Sequence, residues 1–111
     1  MCIRDRSRSW TSAWRHLSRL EQIDPQAFDG RLLIARYWYA RGDYRRALPV
    51  GEQARRLQPG HAGLRNLLGN IHMALGESEK AVEEYRAAVA LDPENAAFKL
   101  NYESALRRVK Q

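Results

Sequence analysis

Apolar positions recur along this chain at three- and four-residue steps, the spacing that lines one face of a helix. In RLLIARYWYARGD the stripe is Leu33, Ile34, Tyr37 and Trp38, and Gly42 stops the helix. In YRRALPVGEQARRLQP it is Ala47, Val50, Ala54 and Leu57, ended by Pro59. GLRNLLGNIHMALG and SEKAVEEYRAAVALDP repeat the plan, with Ser78 the expected N-cap and Gly76 the expected C′ residue. SWTSAWRHLSRLEQIDP, residues 9–25, predicts a helix before these four, and NAAFKLNYESALRRVKQ predicts one after them. The expected fold class is all-α, with about six antiparallel helices.

The same residue types return at one period, which makes the chain a repeat array. Pro25, Pro59 and Pro93 are spaced by 34, and the same step links Ala13, Ala47 and Ala81, Gly42 and Gly76, and Ala54 and Ala88. Each unit reads as a helix pair. Ala47 and Ala81, with Ala35 and Gly69 opposite, are expected where paired helices approach closely, because larger side chains would hold them apart. Pro49 removes a backbone donor near the start of its helix and predicts a local kink without a break.

Residues 62–95 carry Leu68, Gly69, Gly76, Ala81, Tyr85, Ala88 and Pro93 in the register of the tetratricopeptide repeat, which this unit resembles. His72 stands where that family has an aromatic, and Arg65 where it has Trp. Residues 28–61 resemble it through Ile34, Ala35, Trp38, Gly42, Asp43, Tyr44, Ala47, Ala54 and Pro59, and depart from it at Gly51 and Pro49. Trp10, Ala13, Leu17, Leu20 and Pro25 fit the second helix of an earlier unit. The resemblance implies a right-handed helix–turn–helix solenoid. Its expected organisation is a non-native leader at 1–8, the second helix of a truncated repeat at 9–27, repeats at 28–61 and 62–95, and a C-terminal capping helix at 96–111. That last helix has Leu106 at the aromatic position but Glu103 at the close-packing position, where a carboxylate would meet an incoming helix. It is therefore expected to end the stack with a polar face in water; a chain cut just before a further helix is the competing explanation.

The resemblance also implies that first helices line a concave groove holding an extended peptide or a partner helix. Its candidate ligand residues are Leu32, Arg36, Tyr39, Asn66, Asn70, Met73 and Asn101, with Leu100 and Ser104 continuing the surface. Asn offers a donor and an acceptor to a peptide backbone, Arg36 can pair with a carboxylate, and Tyr39 and Met73 supply apolar contact. Family members that clamp the C-terminal carboxylate of chaperones use Lys, Asn and Arg at positions that are Leu32, Leu67 and Ala97 here, so such docking is not expected. Asn66, Asn70 and Asn101 are similar to the asparagine-lined grooves of repeat regions attached to glycosyltransferases. The expected function is a non-enzymatic protein-interaction scaffold. The alternative is a recognition or targeting region of a larger enzyme, such as a glycosyltransferase or peptidase.

Composition narrows this only in places. With 44% apolar residues in 111, the chain can bury a core. The net charge of +6 splits into +2 for residues 1–27, +4 for 28–61, −3 for 62–95 and +3 for 96–111. No continuous basic stripe results, so nucleic acid is not the expected partner. The weaker rival is a nucleic-acid surface on Arg41, Arg45, Arg46, Arg55 and Arg56. No apolar run reaches membrane-spanning length. His16, His61 and His72 lack the partners of a catalytic constellation; His72 is expected in the core or groove, and His61 in a solvated turn. Glu79, Glu83 and Glu84 read as a solvated helix face, and no cofactor or metal site is expected. The opening MCIRDR has none of the helix spacing expected before Trp10, and its back-translation resembles the end of adapters used to fragment DNA for sequencing. Residues 1–6 are therefore expected to be foreign to the repeats, Cys2 is set aside, and localisation stays open.

Overall fold

A computed structural model describes residues 26–110. They form five helices: α1 Phe28–Ala40, α2 Tyr44–Leu57, α3 Ala62–Ala74, α4 Ser78–Leu91 and α5 Ala96–Lys110. The helix predicted over residues 9–25 and the expected leader lie outside the described residues. The starts of α1, α3 and α5 step by 34, as do those of α2 and α4. No strand occurs among the described residues.

Short turns fold α1 onto α2 and α3 onto α4, while α3 packs on α2 and α5 on α4. Both intra-pair turns use one device. Gly42 and Gly76 adopt φ values of 79° and 81°, a conformation that side chains with a Cβ resist. Gly42 N–H bonds Tyr39 O at 3.0 Å and Asp43 N–H bonds Trp38 O at 2.9 Å. Gly76 N–H bonds Met73 O at 3.0 Å and Glu77 N–H bonds His72 O at 2.8 Å. Each turn thereby satisfies two carbonyls that a helix end leaves without partners.

The small residues sit at the helix crossings. Ala35, Ala47, Ala54, Ala81 and Ala88 are fully buried. At Gly69 an added Cβ would lie 2.4 Å from a Tyr85 ring carbon, so the ring of α4 rests on bare α3 backbone. Gly51 is the equivalent of Tyr85 one unit earlier, and its space is taken differently: a Cβ there would lie 2.8 Å from Leu68 Cδ2. Leu68 of the second unit thus fills the place that an aromatic would occupy in the first.

Three local expectations need correction. Glu77, not Ser78, is the N-cap of α4, and its side chain makes no capping bond because it binds His72 instead. His61 is not a merely solvated turn residue: its Nδ1 accepts from Leu64 N–H at 3.0 Å and caps α3, while its ring lies 4.9 Å from that of Phe28. Glu84 is not on a solvated face but 5% exposed. Pro49 lies inside α2, which runs unbroken through it. On α5 only Ala105 is buried, and Glu103 is exposed.

Candidate functional site

The first helices α1, α3 and α5 carry the predicted groove residues. Asn101 Nδ2 donates to Asn66 Oδ1 at 2.9 Å, joining α5 to α3 across a unit boundary. One turn along α3, Asn70 Oδ1 accepts from the Tyr85 hydroxyl at 2.5 Å. Burial first, and then the neighbouring Tyr39 phenol, push the Tyr85 hydroxyl up to about 12, so it remains a neutral donor. Tyr39 packs against Tyr44 with ring centroids 5.5 Å apart. Met73 is half-buried against the cluster of Ala81, Val82, Tyr85 and Ala105. Arg36 is exposed, and Leu100 stands 63% exposed on α5. Arg107 donates to Ser104 Oγ at 3.3 Å.

Leu32 departs from this set. It is 8% exposed and belongs to the core with Phe28, Ile34 and Trp38, so its side chain offers little to a ligand. Asn66, Asn70, Tyr39 and Met73 are partly open, and two of the asparagines already have internal partners on one amide oxygen. That fixes their orientation before any ligand arrives.

Sequence reasoning missed the ionic structure on the other side of α3. Glu84 is clamped by Arg55 of α2 and Arg65 of α3, the latter at 3.0 Å. Arg65 also donates through Nε to Pro59 O at 3.0 Å. The signal available was Arg65 itself, a cation where the family places an aromatic. His72 is 4% exposed, with Nδ1 2.8 Å from Glu77 Oε1. That hydrogen bond is the main reason the Glu77 carboxyl is held below its ordinary value, with Lys80 adding to the effect. Of the arginines in the rival nucleic-acid surface, Arg55 is spent on Glu84. Arg46 pairs with Asp43 at 3.2 Å and covers the Trp38 ring at 4.8 Å, and Arg41 lies over Tyr37. Trp38 Nε1 is sealed without a hydrogen-bond partner. Among the described residues no three His, Cys, Asp or Glu are placed to hold a metal ion, and no helix is long and apolar enough to cross a membrane.

A family model described as tetratricopeptide repeat matches residues 32–96. Among curated proteins, anaphase-promoting complex subunit 3 of Dictyostelium discoideum is 27% identical over 82 residues, 74% of this chain. The chain spans only 8% of that relative's length. Among solved structures, the first TPR of Spaghetti (RPAP3), bound to the HSP90 peptide SRMEEVD, superimposes with a TM-score of 0.79 at 15% identity, covering 96% of this chain and 84% of that one. The Sgt2 TPR domain from Aspergillus fumigatus gives 0.77 at 18% identity, over 94% of this chain and 70% of that one. At these identities the likeness is one of fold. The family match covers more than half the chain, from within α1 to the start of α5, and the chain belongs to the tetratricopeptide repeat family.

Proposed function

We infer that the chain is a non-catalytic interaction scaffold whose first helices hold a peptide or helix of a partner protein. The observation that carries this is the asparagine row: Asn66 and Asn101 joined across successive first helices, with Asn70 fixed one turn away by Tyr85. Side-chain amides held in place can exchange hydrogen bonds with a backbone at little further cost in ordering. Arg36 adds an exposed cation, and Tyr39, Met73 and Leu100 add apolar contact. Two structural relatives support a protein ligand only by fold, and one of them was solved with a peptide bound. The internal pairing of Arg41, Arg46 and Arg55 favours this reading over nucleic acid.

The test is selection of binders from a random peptide library displayed on phage, followed by affinity measurement on Asn70→Ala and Asn101→Ala. A loss of about tenfold in both is expected, given about 1–1.5 kcal/mol per hydrogen bond removed. Binders that are indifferent to both substitutions, or that map to the second helices, would refute the groove.

A further inference from the structure

The 34-residue step sets the groove faces of α1, α3 and α5 in one register. Arg36, Asn70 and Ser104 form one row across the three helices, and Tyr39, Met73 and Arg107 form the row one turn along. Arg107 leans back into the first of these rows, where its Nη2 donates to Ser104 Oγ at 3.3 Å. A guanidinium therefore stands at each end of that row, on α1 and on α5, with the Asn70 amide between them. Both arginines are exposed, and neither has an ion-pair partner among the described residues.

The amides between them are committed in one direction. Asn70 Oδ1 accepts from the Tyr85 hydroxyl, and Asn66 Oδ1 accepts from Asn101 Nδ2. With those oxygens used inside the protein, Asn66 and Asn70 present their Nδ2 donors to the groove, and Asn101 Oδ1 remains as an acceptor. Carboxylates lie elsewhere. Glu52, Glu79, Glu83 and Glu84 belong to the second helices, and Asp43 and Glu77 cap them. On the first helices, Asp29 sits in the opening turn of α1, about two turns before Arg36. Glu103 occupies the register of Gly69, the face turned towards a second helix. A floor of donors between two unpaired guanidiniums suits a ligand rich in acceptors and negative at two points.

We propose that the groove takes an acidic segment of a partner protein in extended form, with one carboxylate side chain on Arg36 and another on Arg107. This rests on the groove reading above and adds the charge and the spacing of the ligand. Packed neighbouring helices lie roughly 8–10 Å apart, so the two arginines, two helices apart, are separated by about 16–20 Å. An extended chain advances about 3.3 Å per residue, which puts the two acidic side chains about six residues apart. Backbone carbonyls between them meet the Asn66 and Asn70 amides. Leu100, exposed beside Asn101, gives an apolar residue of the segment a place to rest. Side chains carry all the charge, so no chain terminus is required.

Three nonapeptides, each acetylated and amidated, are titrated against the full chain by calorimetry and by NMR of backbone amides. GESALASEG carries acids six residues apart, GSALEEASG has the same composition with its acids adjacent, and GQSALASQG is neutral. GESALASEG should bind saturably, with shifts on α1, α3 and α5, and about tenfold tighter than the other two. Arg36→Gln and Arg107→Gln should each weaken it about threefold to fivefold, the scale of a partly exposed charge pair, and leave GQSALASQG unaffected. Arg45→Gln, at an exposed arginine of α2, should change nothing. Equal affinity for GESALASEG and GQSALASQG, with shifts in the first helices, would overturn the acidic ligand and leave the groove standing. Equal affinity for GSALEEASG would overturn the bridging of two arginines. No saturable response, or shifts confined to the second helices, would overturn the groove reading as well. A ten-nucleotide single-stranded DNA that displaces GESALASEG, and whose binding is lost in both variants, would overturn the proposal in favour of nucleic acid.

Discussion

Gly69 shows how much a single hydrogen can decide. With Tyr85 ring carbons 2.4 and 2.5 Å from where a Cβ would stand, Gly69→Ala must push a fully packed ring off its seat. A loss of about 1–3 kcal/mol in urea denaturation is expected, the range for overpacking a tight core. The sequence made this position legible, because Gly69 recurs in register with Ala35 at the helix crossing. The Arg55–Glu84–Arg65 clamp was not legible. Its bonds join residues 29 and 19 apart, separations that neither helical spacing nor the 34-residue period connects. Glu84→Gln should leave both guanidiniums without their counter-charge. Because those groups remain partly solvated, the expected loss is about 1–3 kcal/mol, below that for a fully buried pair. Glu77 gives a pH signature. Its folded-state carboxyl lies below the ordinary value of 4.5, so its stabilisation is complete above that value and disappears as pH falls through the lowered one. Melting temperatures of the wild type and Glu77→Gln should differ at neutral pH and converge in strong acid.

At the scale of elements, α2 and α4 start from the same plan and diverge through one side chain. Asp43 caps α2 by accepting from Arg46 N–H at 3.3 Å. Its counterpart Glu77 gives its carboxylate to His72, and α4 begins without a side-chain cap. Reading Ser78 as the cap failed because the cap position belongs to Glu77, whose carboxylate accepts from His72 in a different helix. Helix positions were otherwise readable to within a few residues, since Gly42, Gly76 and the prolines mark their ends in the chain itself. Pro49 is the exception to that rule of punctuation. It lies in the interior of α2, where tertiary packing overrides a missing donor and the ring's crowding of the preceding turn. Pro49→Ala is therefore expected to stabilise the protein by about 1–3 kcal/mol, seen as a rise in the denaturation midpoint without a change in slope.

Over the whole molecule, each helix packs mainly on its neighbours in sequence, with the α1–α3 contact a minor addition. Such a chain loses structure from its less supported parts, as in other stacked repeats. α5 packs mainly on α4, with the Asn101–Asn66 bond as its link to α3, and buries only Ala105, so its amides should exchange with deuterium well before those of α3, which packs on α2 and α4. The groove reading predicts a negative result as well. The resemblance implies that Leu67 and Ala97 occupy places where carboxylate-clamping members carry polar residues, and Leu32 is closed into the core. The peptide SRMEEVD should give no saturable response by calorimetry. The period exposed the architecture because repetition multiplies a weak local signal.

The interlock at Gly51 constrains the history of the gene as well as the shape of its product. The first unit has Gly51 where the second has the aromatic Tyr85, and the second supplies Leu68 to fill the gap. The two units are complementary halves of one boundary, so they are not interchangeable beads. Exchanging their order would set Tyr85 against a neighbour not shaped for it and leave Gly51 facing a partner chosen for a ring. Duplication of a single unit would break this fit, and the pair is the smallest piece that carries the Gly51–Leu68 boundary intact.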